Sequence, residues 1–501
     1  MNEKIVNLVN FVRGIEPRWE SDLFLPVKRQ IEINKKYGVE STFLLQYDAM
    51  KRKEFRTLFL DERDERIEIG VWFENCRELI ETIGLKWNGR EGYDWDWHVN
   101  VGFLMGYEPK QRELIIDEVF RLFHEIFGEY PKVVGSWLID AYSIGYICKK
   151  YGAKAFCVCR EQHSVDAYTL WGGFSSGGYY PSKNNMLCPA QTEKCQISVP
   201  IFRMLGADAI YSYDEEKYFK GEKIGVYTME PGWVCGQDSH IMDWYFESYY
   251  KNPCLSFSHC TTGQENSFGW ETFGKAYEMQ VEKLVKLQEE GVLTVEKLGV
   301  TGENFTKTYK ETPPQVQIAT KDWNGNGIKT AWYNCKNYRS NLFFKDGELF
   351  FRDIQKYDET YEERYLVESC KSWDATYDTL PIVDSRFWSK EGVSCGLFVE
   401  GEVADVEFIK ESDLIFQAKV YFKDGEIGLI SFENDGISFE YISLRLNFGI
   451  PTDFEVALKG NQFTAIHNSF EYKFTVVGNL KKDGDEYLIA ANNSGIKIFL
   501  D

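Results

Sequence analysis

No run of roughly 18 consecutive apolar residues, the length needed to span a bilayer, occurs in this 501-residue chain. The amino-terminal stretch MNEKIVNLVNFVRG has neither a basic region nor a long apolar segment, so no secretory leader is expected and a cytoplasmic location is. Basic blocks are absent as well. With 57 Lys and Arg against 78 Asp and Glu the formal charge is −21, which argues against nucleic acid and membrane as partners and leaves a neutral or cationic ligand easier to accommodate. Histidine is scarce, and none of the six (His98, His124, His163, His240, His259, His467) lies four residues from another. The glycines of GGFSSGG are not spaced as GxGxxG and no Lys-Ser or Lys-Thr follows them, so a phosphate cradle is not expected. No repeat of fixed period and no low-complexity tract is present.

Cysteine, by contrast, is plentiful. Several of the twelve (Cys76, Cys148, Cys157, Cys159) fall inside strand-like or helix-like segments, which favours buried reduced thiols over disulfides. The nearest approach to a metal cluster is Cys157, Cys159 and His163 in AFCVCREQH. The second pair of ligands that a structural zinc site needs is not evident, so neither metal nor cofactor is expected.

What recurs is a strand-like segment ending in an acidic residue: VNFVRGIE to Glu16, STFLLQYD to Asp48, IEIGVWFE to Glu74, VVGSWLID to Asp140 and KIGVYTME to Glu230. Helix-like stretches such as ELIIDEVFRLFHEIFG and AYSIGYICKKYG follow several of them. Repeated β/α units build a parallel sheet or barrel, and carboxylates at the carboxyl ends of its strands converge on one face. The pattern holds to the helix GKAYEMQVEKLVKLQEEG, which Gly291 stops. VTGENFTKTYKETPPQVQ then reads as a polar connector. Beyond it, segments such as NLFFKDGELFFRDI and IFQAKVYFKDGEIGLISFE alternate apolar and polar residues about Lys-Asp-Gly turns. Two domains are expected: an α/β barrel over residues 1–310 and an antiparallel β-sandwich over 320–501. The sandwich could bind glycan, cover one side of the barrel or mediate a homodimer.

Four groups of residues could carry chemistry. FVRGIEPRW places Arg13, Glu16, Arg18 and Trp19 at the end of the first strand, as a hydroxyl clamp or an ion pair at the rim. In GSWLIDAYS, Ser136, Leu138 and Asp140 point one way along an extended strand and Trp137 and Ile139 the other. Asp140 falls where a helix begins, so it is either catalytic or the helix N-cap. PCLSFSHCTTGQENSFGWE carries His259, Glu265, Asn266 and Trp270; a glutamate beside an amide and an indole suits a general acid next to a sugar-stacking ring. YDWDWHVN holds Trp97 and His98, and QHSVDAYTLWGG holds Asp166 and Trp171. Flat rings interleaved with carboxylates and amides suit a carbohydrate, whose C–H faces stack while its hydroxyls need polar partners.

The IRGxEPR-like, GSWLIDAYS, DAYTLWGG and GQENSFGWE stretches resemble an uncharacterised gut-bacterial family of the glycoside hydrolase/deacetylase superfamily, over roughly residues 1 to 300. The resemblance implies a distorted (β/α) barrel, seven- or eight-stranded, with a β-rich companion. In deacetylases of this superfamily an Asp-Asp pair on the first strand and a His-x-x-x-His motif hold a metal that activates water; here the first strand carries Arg13 and Glu16, and the histidine motif is missing. In its glycosidases a carboxylate nucleophile follows the fourth strand and an acid comes later, which maps onto Asp140 and onto Glu265 or Glu230. The expected activity is therefore glycoside hydrolysis by paired carboxylates, with Asp140 as nucleophile or base, Glu265 as acid and Glu230 next. Arg13, Glu16, Asp48, Glu74, Trp97, His98, Trp137, Asp166, Trp171, His259, Asn266 and Trp270 are expected to bind the carbohydrate. The rivals are a metal-dependent deacetylase built on His98, Asp48 and His259, and a non-catalytic glycan-binding protein that depends on Trp171.

Overall fold

Alternation of inward and outward side chains is the property that closes a parallel sheet into a barrel, and the first half of the chain has it. The computed structural model describes residues 3–159, 173–204, 206, 208–213, 218–219, 222–223, 228–492 and 495–501. Among the described residues seven strands form the barrel: β1 (Glu3–Val12), β2 (Ser41–Leu45), β3 (Ile67–Trp72), β4 (Val133–Ser136), β5 (Ala155–Cys159), β6 (Ile201–Met204) and β7 (Phe257–Thr262). They lie side by side in the order β7-β1-β2-β3-β4-β5-β6, every pairing parallel. Phe11, Leu44, Trp72, Cys157 and Phe202 fill the interior. Phe43, Leu45, Val71, Phe156 and Val158 face outward onto the helices. A strand buried on both faces is what a β/α barrel requires.

The ring is distorted where β6 meets β7. No ladder joins these two strands among the described residues; the Gly206 N–H, just past β6, donates to the Thr261 carbonyl at 3.0 Å, and Phe202 packs on the His259 ring with centroids 4.9 Å apart. The expected strand-like segment KIGVYTME is described only in part, since residues 224–227 lie outside the described residues. The position beside β5 belongs to Ile201–Met204. Four residues between Pro200 and Gly206 are too short to show a periodicity of their own.

Two further boundaries shift. The fourth strand ends at Ser136 rather than running to Asp140, so the facing expected for residues 137–140 does not hold: Trp137 turns into the barrel interior and Ile139 toward the helices. The polar connector is in part the helix Leu298–Thr308, and the first strand of the second domain starts at Gln315.

That domain is a sandwich of a nine-stranded and an eight-stranded sheet, closed over a core that includes Phe351, Phe416, Phe432 and Phe463. Its hairpins turn where Lys-Asp-Gly predicts. In the hairpin Tyr338–Lys345/Glu348–Lys356, Asp346 and Gly347 both have positive φ (52° and 85°), the conformation a tight two-residue turn demands. The same strands are buried on both faces, because the nine-stranded sheet also packs on the barrel. Arg352 donates to the carbonyls of Ala209 and Ile210 (3.2 and 3.0 Å), and the Trp332 indole to Ala209 (2.9 Å). Of the three expected roles for the sandwich, covering the barrel is the one seen. Among the described residues no helix is long and apolar enough to cross a membrane.

Candidate active site

Past β1 the backbone crosses the start of the next unit at close range. The Gln46 N–H donates to the Val12 carbonyl (3.0 Å) and the Gly14 N–H to Asp48 Oδ2 (3.1 Å). A Cβ on Gly14 would lie 2.7 Å from the Asp48 carbonyl carbon, so only glycine fits there. This crossing turns Arg13 into the mouth of the barrel and fixes it there: its N–H donates to Asn266 Oδ1 (2.8 Å), and Asn266 Nδ2 donates to the carbonyls of Arg13 and Leu23 (2.9 and 2.7 Å). Asn266 thus clamps the β1 and β7 loops together and does not face a ligand.

Carboxylates from three strand ends surround this guanidinium. Arg13 lies 3.2 Å from Glu74, 3.1 Å from Glu265 and 3.5 Å from Glu16, and stacks over the Trp95 ring at 4.1 Å. Glu16 also takes a two-point contact from Arg18 (2.8 and 2.7 Å), and Arg18 stands 3.9 Å from Glu265. Gln46 donates to Glu74 and Ser267 to Glu265. Glu230 comes up beside them: Thr228 Oγ1 lies 3.3 Å away, and Gln264 reaches it at 3.5 Å.

Glu16, Asp48, Glu74, Glu230 and Glu265 therefore share one floor with two guanidinium groups. Two positive charges cannot neutralise five negative ones away from water, and protonation is the outlet. Burial, and then the neighbouring Glu265, push the Glu230 carboxyl up to about 8. Burial lifts Glu74 to about 8 as well, with Glu265 raising it and Arg13 pulling the other way. Asp48, held by the Gly14 and Ala49 amides, is raised by burial to about 6. At neutral pH this leaves two neutral acids beside the ion-paired Glu265.

Arginines and rings line the way out. Arg18 stacks on Trp19 (4.2 Å), Trp95 (4.9 Å) and Trp97 (5.5 Å), and Arg90 lies 4.1 Å from both Trp97 and Tyr93. Trp19 also meets Phe268, which meets Trp233 (6.1 and 5.5 Å). Trp97 thus lies among these arginines, against Arg18, Arg90 and Trp95.

Other expected residues are placed elsewhere. Asp140 is the N-cap of the helix Ala141–Tyr151: Oδ1 accepts from the Ser143 N–H (2.9 Å), Oδ2 from the Ser143 hydroxyl (2.8 Å), and Arg112 pairs with it at 2.8 Å, both side chains fully buried. A carboxylate with both oxygens engaged and no exposed surface is a cap, and the structure does not bring it to the Arg13 cluster. Trp137 packs edge-on against Phe11 and Trp72 in the interior. His259 Nε2 bonds to Asn7 Oδ1 (2.8 Å), and burial holds its ring down to about 3, neutral and structural. Trp270 opens the helix Trp270–Glu289 and packs on Phe273 and Tyr277. His98 is paired with Asp96 (3.2 Å) and stacked on Trp373. Asp166, Trp171 and His163 lie outside the described residues. Gln46 and Gln264 belong to the mouth as well, inside the STFLLQYD and GQENSFGWE stretches but not singled out there, and Trp373, which stacks on His98, lies in none of the candidate motifs.

A metal of the deacetylase kind does not fit this mouth. Arg13 occupies the centre of the carboxylates, where a second cation would be repelled. The trio His98, Asp48 and His259 is not assembled, and among the described residues no three His, Cys, Asp or Glu are grouped to hold an ion. A cavity of about 810 Å³ opens at the opposite end of the barrel, against Lys4, Ile5 and Phe257, and none of the mouth carboxylates lines it.

No protein-family model matches the sequence, and no curated protein matches it either. Among solved structures, a "putative glycoside hydrolase/deacetylase" from Parabacteroides distasonis is similar with a TM-score of 0.54 at 14% identity, covering 74% of this chain and 90% of its own. A "putative polysaccharide deacetylase" from Mycobacterium smegmatis and a "probable polysaccharide deacetylase" from Pseudomonas aeruginosa reach TM-scores of 0.36 and 0.37 at 12% and 11% identity. They cover 62% and 61% of this chain and 93% and 91% of their own, a likeness too partial to carry weight. The first match spans a larger share than the barrel alone, and the chain thus shares the fold of that structure.

Proposed function

We propose that this protein is a glycoside hydrolase acting on a neutral carbohydrate. The supporting observation is the unequal environment of neighbouring glutamates in one barrel mouth: Glu265 is ion-paired with Arg13, while burial beside Glu265 raises Glu230 to about 8. Hydrolysis of a glycosidic bond needs one carboxyl that holds a proton and one that does not. Glu230 gives its proton to the leaving oxygen, and Glu265 attacks the anomeric carbon or activates the water that does. The roles are thereby exchanged relative to the sequence expectation, in which Glu265 was the acid and Asp140 its partner. Glu74, neutral and fixed by Gln46 and Arg13, is placed to bond a substrate hydroxyl.

A neutral substrate follows from the charge balance. Arg13 and Arg18 face a surplus of carboxylates, so neither offers net positive charge to a uronate or a sulfate. Assay of aryl glycosides beside acetylated sugars, each with and without a chelator, tests the reading: aryl release that the chelator leaves unchanged is expected, and chelator-sensitive acetate release would overturn it.

A further inference from the structure

We infer that Trp373, carried by the C-terminal domain, is the stacking platform of an outer sugar subsite at the barrel rim. The inference rests on the reading of the mouth as a carbohydrate site and adds to it a subsite built by the other domain.

The residue lies on an excursion between the sandwich strands Glu348–Lys356 and Leu380–Asp384, which crosses onto the barrel. Two backbone bonds pin it there: the Cys370 N–H donates to the Met105 carbonyl (2.7 Å), and the Trp373 carbonyl accepts from the Val99 N–H (2.8 Å). Between these anchors the loop folds about the buried Cys370 thiol, which lies 3.4 Å from the Ser372 carbonyl and 3.5 Å from that of Asp374. One face of the indole is covered by His98, stacked at 4.2 Å and 9°. Yet Trp373 remains 62% exposed. A large apolar ring held rigidly with one side on a neighbour and the other in water is poised to stack on a ligand.

Its position and surroundings indicate the ligand. The covering His98 is adjacent to Trp97 (centroids 5.8 Å), Trp97 to Trp95 (5.7 Å), and Trp95 to Arg13. A run of rings therefore leads from the carboxylates outward to Trp373. Ser372 and Asp374, its neighbours in sequence, are exposed as well, so the same loop carries a hydroxyl and a carboxylate along with the apolar plate. That combination matches a neutral pyranose unit, which stacks by its C–H face and donates hydroxyl protons at its edge.

The test is calorimetric titration of full-length wild type, Trp373→Ala and Trp373→Phe with neutral mono- to hexasaccharides of glucose, galactose, mannose and N-acetylglucosamine. Binding is read in the presence of Glu265→Gln, so that turnover does not enter. The expected result is that Trp373→Ala loses at least tenfold in affinity for the longest bound oligosaccharide and less than twofold for its monosaccharide, with Trp373→Phe recovering most of the loss. Equal affinities in wild type and Trp373→Ala, or no binding of any of these sugars at millimolar concentration, would overturn the subsite. Failure of hydrolysis alone would overturn the proposed reaction and leave this binding result standing.

Discussion

Each titratable residue of the mouth answers to its immediate surroundings. Glu230 in the unfolded chain titrates near 4.5 and in the folded one near 8, so the folded state holds the extra proton between these values. Stability conferred by that proton is complete below about pH 4.5 and is lost as pH rises toward 8. Glu74 behaves alike. Asp48 has finished by about pH 6, and His259, depressed to about 3, lowers stability only as pH falls below 6.5. The window from pH 6.5 to 8 therefore reports on the glutamates raised to about 8, which are Glu74, Glu230 and the interdomain Glu363, each worth up to about 1.4 kcal/mol per pH unit, and the Glu230 share is read from its own variant. Thermal melts across that window should show wild type losing stability while Glu230→Gln loses distinctly less; parallel curves would mean that Glu230 is ionised throughout.

At the scale of elements, carboxylates at strand ends were legible because extended apolar runs stop at them. Glu16, Asp48 and Glu74 come four, three and two residues after the ends of β1, β2 and β3 and meet in one mouth. Asp140 shows the limit of that signal. A strand end and a helix start are the same place in a β/α unit, so an acid there satisfies both patterns, and only the Arg112 and Ser143 contacts separate them. Replacing Asp140 by Ala removes the cap and strands a buried guanidinium, and should cost about 3–5 kcal/mol. A large fall in melting temperature with activity per folded molecule retained is the expected outcome; a normal melting temperature with activity abolished would return Asp140 to the chemistry. Glu230 was legible as an acid, and β6 was not legible at all, since its four residues become a strand only by pairing with β5.

For the whole molecule, the two domains share polar groups that water does not reach. Glu363, on the excursion that carries Trp373, accepts from the Ala141 and Met186 N–H groups (2.7 and 2.8 Å), and burial, with Asp140 nearby, raises it to about 8. Arg112 donates to the carbonyl of Glu368 at 2.7 Å and to that of Tyr365 at 2.5 Å. Such contacts link residues between 177 and 256 positions apart and leave no trace in local sequence patterns, which is why the excursion and Trp373 were not foreseen. Separating the domains would strand these groups, so calorimetry should record one unfolding transition for the full chain. Two resolved transitions would show that the domains unfold independently.

The most direct test of the account is the turnover of matched glycosides with good and poor leaving groups by wild type, Glu265→Gln and Glu230→Gln. Glu265→Gln should lose at least about a thousandfold on both, and Glu230→Gln should lose far more on the poor leaving group, which needs its proton, than on the good one. Turnover by Glu265→Gln at the wild-type rate, or a Glu230→Gln defect indifferent to the leaving group, would contradict it.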